Sequence, residues 1–107
     1  MNMQLSIETL FEWKTNKVPH QLIDIREPYE IEVCNIEGVA IPMQEILERT
    51  AEIDTTIPVV IHCNSGKRSD AVCYALRQAL HRKDIFSLTG GIQAFTTAYL
   101  PEQSCAQ

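Results

Sequence analysis

The stretch Pro58-Val59-Val60-Ile61-His62-Cys63-Asn64-Ser65-Gly66-Lys67-Arg68-Ser69 governs the reading of the whole chain. Its first half is a continuous apolar run, as expected of a central parallel strand covered on both faces. Its second half is polar, cationic and glycine-bearing, and it leads into a helical pattern from about Ser69 to His81. On that helix Val72, Cys73, Leu76, Ala79 and Leu80 form one inward stripe. Strand, tight loop and helix in this order point backbone N–H groups into a concavity that favours anions. The helix start adds about half a positive charge, and Lys67 and Arg68 add two more. Gly66 suits a turn with positive φ, and Ser69 is a candidate helix cap. A cysteine in that field is expected to be a thiolate nucleophile. Cys63 is therefore the candidate catalytic residue, with Asn64, Ser65, Gly66, Lys67, Arg68 and Ser69 as the anion-binding loop.

Outward from this stretch, helix and strand patterns alternate. Ser6 can cap a helix over about 7–16. Leu22–Ile25 reads as a short strand, Pro28 as the first turn of a helix, and Gly38–Ile41 as extended chain stopped by Pro42. Met43, Ile46 and Leu47 predict a helix running to about Ala51. Ile85–Leu88 reads as the last strand, broken by Gly90-Gly91, with Ile92, Phe95 and Tyr99 on a final helix. The expected architecture is α/β: a small open, mainly parallel sheet with helices on both faces, and a site at the carboxyl ends of the strands. The chain of 107 residues reads as one domain over 1–107, with its core at about 5–99 and a polar tail at 100–107.

Hydrophobic residues make up 45% and charged residues 21%, which is ordinary globular composition. A net charge of −5 argues against nucleic-acid binding. The charge is uneven: residues 1–62 carry four Lys/Arg against eleven Asp/Glu, and residues 63–107 carry five against three. The cationic chemistry thus lies in the second half. No apolar run is long enough to span a membrane, and Met1–Leu5 lacks a signal-peptide layout, so a cytoplasmic protein without disulfides is expected. No pair among Cys34, Cys63, Cys73 and Cys105 has metal-ligand spacing; neither metal nor cofactor is expected. Cys73 reads as core, Cys34 as partly buried and Cys105 as an idle thiol in the tail. His62 precedes Cys63, but strand neighbours point to opposite faces, so it reads as a packed histidine. Trp13, Phe11 and Tyr29 read as packing residues.

Three segments together resemble the single-domain rhodaneses, which are sulfurtransferases acting on thiosulfate or persulfides. They are Leu22-Ile23-Asp24-Ile25-Arg26-Glu27-Pro28-Tyr29-Glu30, the Cys63–Ser69 loop behind its apolar strand, and Leu88-Thr89-Gly90-Gly91-Ile92-Gln93-Ala94-Phe95. The resemblance covers roughly residues 5–99. It departs from the common pattern at Cys34-Asn35-Ile36-Glu37-Gly38-Val39, one residue short before Ile41-Pro42, and at Phe95 in place of the usual Trp. The Cys34-Asn35-Ile36 variant resembles rhodanese domains fused to adenylating enzymes that sulfurate ubiquitin-like carriers. The resemblance implies that Asp24 and Arg26 support the loop. It implies a small anionic donor such as thiosulfate, and a thiol, cyanide or protein acceptor. Two other functions compete. His62–Ser69 is similar to the loop of cysteine-dependent phosphatases and arsenate reductases, but one residue short between Gly66 and Arg68. A catalytically idle binding module is the other, and it has no need of an activated cysteine.

Overall fold

The structure is a computed structural model and describes residues 2–103. Five strands form one sheet in the order β1-β5-β4-β2-β3, and every pairing is parallel. The strands are β1 (Gln4–Leu5), β2 (Gln21–Asp24), β3 (Val39–Ala40), β4 (Val59–His62) and β5 (Ile85–Leu88). The helices are α1 (Ile7–Thr15), α2 (Pro28–Val33), α3 (Lys67–Leu80) and α4 (Gly91–Tyr99).

The apolar run of β4 occupies the centre because both faces of the sheet are covered. Val59, Ile61 and Cys63 pack with Val72, Cys73 and Leu76 of α3, and Val60 packs with Leu10 of α1 and with Ile92 and Phe95 of α4. Ser6 caps α1 by accepting the Thr9 N–H at 3.1 Å. Pro28 opens α2, where Glu30 accepts the Glu27 N–H at 2.9 Å.

Several local expectations are corrected. Instead of one helix after Met43, the chain makes two 3-10 turns, Ile46–Glu48 and Thr50–Glu52. Only Ile46 of that segment and Ile53 beyond it are deeply buried. Met43 and Leu47 are exposed, so the apolar stripe finds no surface to pack on and does not hold a longer helix. Helix α3 begins at Lys67 rather than Ser69, because Gly66 itself stands at the cap position with φ 106°. Ser69 is inside the first turn and fully buried. Strand β1 escapes a pattern search because it is two residues long, held by the edge of β5 through Gln4 opposite Ser87 and Leu5 opposite Leu88. Phe11 stacks on Tyr99 with ring centroids 4.1 Å apart, but Tyr29 is exposed rather than packed. Cys73 is buried core, as expected. Cys34 is buried and disulfide-bonded, against the expectation of separate thiols. Cys105 lies outside the described residues. No helix among the described residues is long and apolar enough to cross a membrane.

His62 is fully buried on the face of β4 opposite Cys63. Neither ring nitrogen has a hydrogen-bond partner, and Nε2 lies 3.5 Å from Asp24 Oδ2. Burial pushes its pKa down from 6.5 to about 4, so the ring is neutral at neutral pH. A base whose folded pKa is depressed contributes stability above its unfolded pKa and loses it as pH falls through the folded value. The window here runs from 6.5 to about 4, and the loss across it is about 3 kcal/mol. Urea unfolding of wild type and His62→Met at neutral pH and near pH 4 checks this. The wild type is expected to lose about 3 kcal/mol more than the variant on acidification; parallel losses would show that folding does not depress the His62 pKa.

Candidate active site

Cys63 follows β4 directly, at the carboxyl edge of the sheet, and is 1% exposed. Its Sγ accepts the Gly66 N–H at 3.1 Å and the Ser69 N–H at 3.3 Å. The dipoles of the loop and of the first turn of α3 therefore converge on the sulfur, where the negative charge of a thiolate or persulfide would sit. The left-handed conformation of Gly66 turns the loop tightly enough to bring both donors to one atom.

The Gly90-Gly91 turn sets the other side of the loop. The Cys63 and Asn64 carbonyls accept the Ile92 and Gln93 N–H groups at 2.9 and 3.1 Å. Those carbonyls thus face α4. Gly91 has φ 66°, and a Cβ there would overlap the Asn64 and Cys63 carbonyls. Gly91 is needed for this close approach.

Asn64 is half-buried and Ser65 exposed at the mouth. The two cations differ. Lys67 is exposed and makes no ion pair among the described residues. Arg68 is half-buried and grips the Glu30 carboxylate with two bonds of 3.0 and 2.9 Å. Those bonds hold the Glu30 carboxyl below its usual range and raise the Arg68 guanidinium above its own.

Asp24 and Arg26 are buried and joined by bonds of 3.0 and 2.8 Å. Among the described residues neither makes a hydrogen bond or ion pair to residues 63–69. Arg26 reaches the carbonyls of Cys34 at 2.6 Å and Glu30 at 3.3 Å. Arg26 thus ties down α2 and the residue after it, and Glu30 of α2 holds Arg68. Sequence reading missed Glu30 as the Arg68 partner, since 38 residues separate them. It also missed Ser87 and Asp70. Ser87 lies 2.7 Å from Ser69 Oγ and donates to Asp70 Oδ1 at 2.6 Å. The available signal was a serine on the same buried face of β5 as Ile85. Cys73 contrasts with Cys63: its thiol donates to the Ile85 carbonyl at 3.0 Å, and burial pushes its pKa up.

Residues 8–98 match the family model described as a rhodanese-like domain. The chain belongs to the rhodanese-like family. It is similar to a sulfurtransferase of Allochromatium vinosum, 40% identical over 82 residues that make up 75% of each chain. It is also similar to the adenylyltransferase and sulfurtransferase MOCS3 of Drosophila ananassae, 30% identical over 92 residues. That match takes in 78% of this rhodanese-like chain but spans only 20% of the MOCS3 length. Among solved structures, a rhodanese-related protein of Thermoplasma volcanium superposes with a TM-score of 0.79 at 25% identity, covering 90% of this chain and 92% of that one. These likenesses agree with the parallel sheet.

Proposed function

We propose that this rhodanese-like domain is a sulfurtransferase in which Cys63 carries the sulfur. The observation that carries the reading is the Cys63 Sγ at the focus of two backbone N–H donors at the start of α3. In the first half-reaction the Cys63 thiolate attacks the outer sulfur of thiosulfate. The S–S bond of the donor breaks, and sulfite leaves with the electron pair. The new persulfide keeps its negative terminal sulfur in the loop, and Lys67 at the mouth attracts the anionic donor. In the second half-reaction a thiol, a protein acceptor or cyanide attacks that outer sulfur, and the Cys63 thiolate leaves. This is covalent double displacement and runs with ping-pong kinetics.

The placement of Arg68 favours sulfur over phosphate. A cysteine phosphatase needs a guanidinium gripping two phosphoryl oxygens above the sulfur. Arg68 spends both of its forward nitrogens on Glu30, and the sixth residue after Cys63 is a buried serine. The test is a pair of assays on one preparation: thiocyanate formation from thiosulfate and cyanide, and hydrolysis of an aryl phosphate. Thiocyanate formation with negligible phosphate release is expected. Cysteine-dependent phosphate release exceeding thiocyanate formation would reverse the ranking, and silence in both assays would favour an idle binding module.

A further inference from the structure

A buried thiol cannot hand its proton directly to bulk water. Cys63 is 1% exposed, yet its Sγ lies 3.6 Å from Ser69 Oγ, itself fully buried. Ser69 Oγ lies 2.7 Å from Ser87 Oγ, also fully buried, and Ser87 Oγ lies 2.6 Å from Asp70 Oδ1. Asp70 is half-buried, at the end of the chain nearest solvent. Gln4 Nε2 fixes the same carboxylate oxygen at 2.9 Å, and Thr89 holds Gln4 at 2.7 Å.

The hydrogens in this row have one order. An ionised carboxylate only accepts, so the single Ser87 hydrogen goes to Asp70. Ser87 then has only lone pairs left for Ser69, so the single Ser69 hydrogen goes to Ser87. Ser69 Oγ also lies 3.1 Å from the Gly66 carbonyl, but its hydrogen is already engaged. A lone pair of its oxygen is free to accept the thiol hydrogen of Cys63. The row reads S–H to O–H to O–H to carboxylate without a break in direction.

We propose that Ser69, Ser87 and Asp70 are a proton relay that empties the Cys63 thiol towards the surface. The proton on sulfur passes to Ser69 as the Ser69 proton passes to Ser87 and the Ser87 proton passes to Asp70. A thiol and a carboxylate become a thiolate and a carboxylic acid, which releases the proton to solvent. Afterwards the Ser69 hydroxyl points at the sulfur as a third donor beside the two N–H groups. Ser69 touches the reacting atom; Ser87 and Asp70 act through it as positioning residues. The relay rests on Cys63 being the nucleophile of the proposed reaction.

The test measures carbamidomethylation of Cys63 by iodoacetamide, followed by peptide mapping, against pH. Ser87→Ala and the near-isosteric Asp70→Asn are expected to slow the reaction about tenfold or more near pH 6. Near pH 9.5, where hydroxide and free thiolate make the relay dispensable, both variants should react within about twofold of wild type. Ser87→Thr keeps the hydroxyl and should restore the rate near pH 6. Equal slowing at both pH values, or no slowing in either variant, would reduce the row to packing and overturn the relay. Alkylation needs no sulfur donor, so the two readings fail separately. Thiocyanate formation with an unchanged alkylation profile sinks the relay alone, and a relay profile without thiocyanate formation sinks the sulfurtransferase alone.

Discussion

Cys63→Ser is expected to abolish thiocyanate formation from thiosulfate and cyanide, a fall of about 10³-fold or more, since no covalent carrier remains. The substitution changes one atom in a pocket that already accommodates hydroxyls at Ser69 and Ser87, so folding should survive. The two N–H donors at 3.1 and 3.3 Å can still bond a serine oxygen. A serine hydroxyl, however, is a weak nucleophile at neutral pH and forms no stable bond to sulfane sulfur. Cys73→Ser provides the contrast. Cys73 is buried in the core, and its thiol is pushed up by burial; its replacement should cost some stability and leave turnover per folded molecule intact. Steady-state assays with circular dichroism on both variants check this. Wild-type turnover in Cys63→Ser would refute the catalytic role.

Arg26→Met is expected to cost about 3–5 kcal/mol of stability, the penalty for leaving one member of a buried ion pair alone. Asp24 is 1% exposed. Without the guanidinium its carboxylate keeps the backbone N–H of residue 26, which donates to Oδ1 at 3.0 Å, but its other oxygen is left with only the neutral His62 ring, whose Nε2 lies 3.5 Å away. The carbonyls of Cys34 and Glu30 lose a donor as well. Against a total of about 5–15 kcal/mol for a domain, this is a severe loss. The double variant Asp24→Leu/Arg26→Met removes both charges and should recover part of it, because an apolar replacement of a buried pair is often close to neutral. Urea denaturation is the measurement, read as a lower midpoint at constant slope. A single variant within about 1 kcal/mol of wild type would show that the pair is worth no more than a surface bridge.

The centre of the fold was legible in the sequence because each level agreed there. An unbroken apolar run needs two covered faces, and β4 has them. A glycine between a strand and an amphipathic helix needs a positive φ, and Gly66 has 106°. Helix and strand alternation gave the parallel sheet. What escaped reading was decided by contacts distant in sequence. Strand β1 exists through its pairing with β5, not through its own two residues. The segment after Met43 has apolar residues at helical spacing, but tertiary packing buries Ile46 and leaves Leu47 in solvent. By sequence alone Arg68 is a cation for the donor. Its partner, Glu30, sits on α2, which only the folded sheet brings alongside. Ser87 and Asp70 carry no local motif; their meaning appears once β5 and α3 pack together.

The most direct measurement of the central claim is intact-mass spectrometry of the protein after incubation with thiosulfate and removal of excess donor. The account predicts a gain of one sulfur atom in the wild type, absent from Cys63→Ser, and removed by cyanide with formation of thiocyanate. An unchanged mass in the wild type, or a cyanide-labile sulfur that persists in Cys63→Ser, would contradict it.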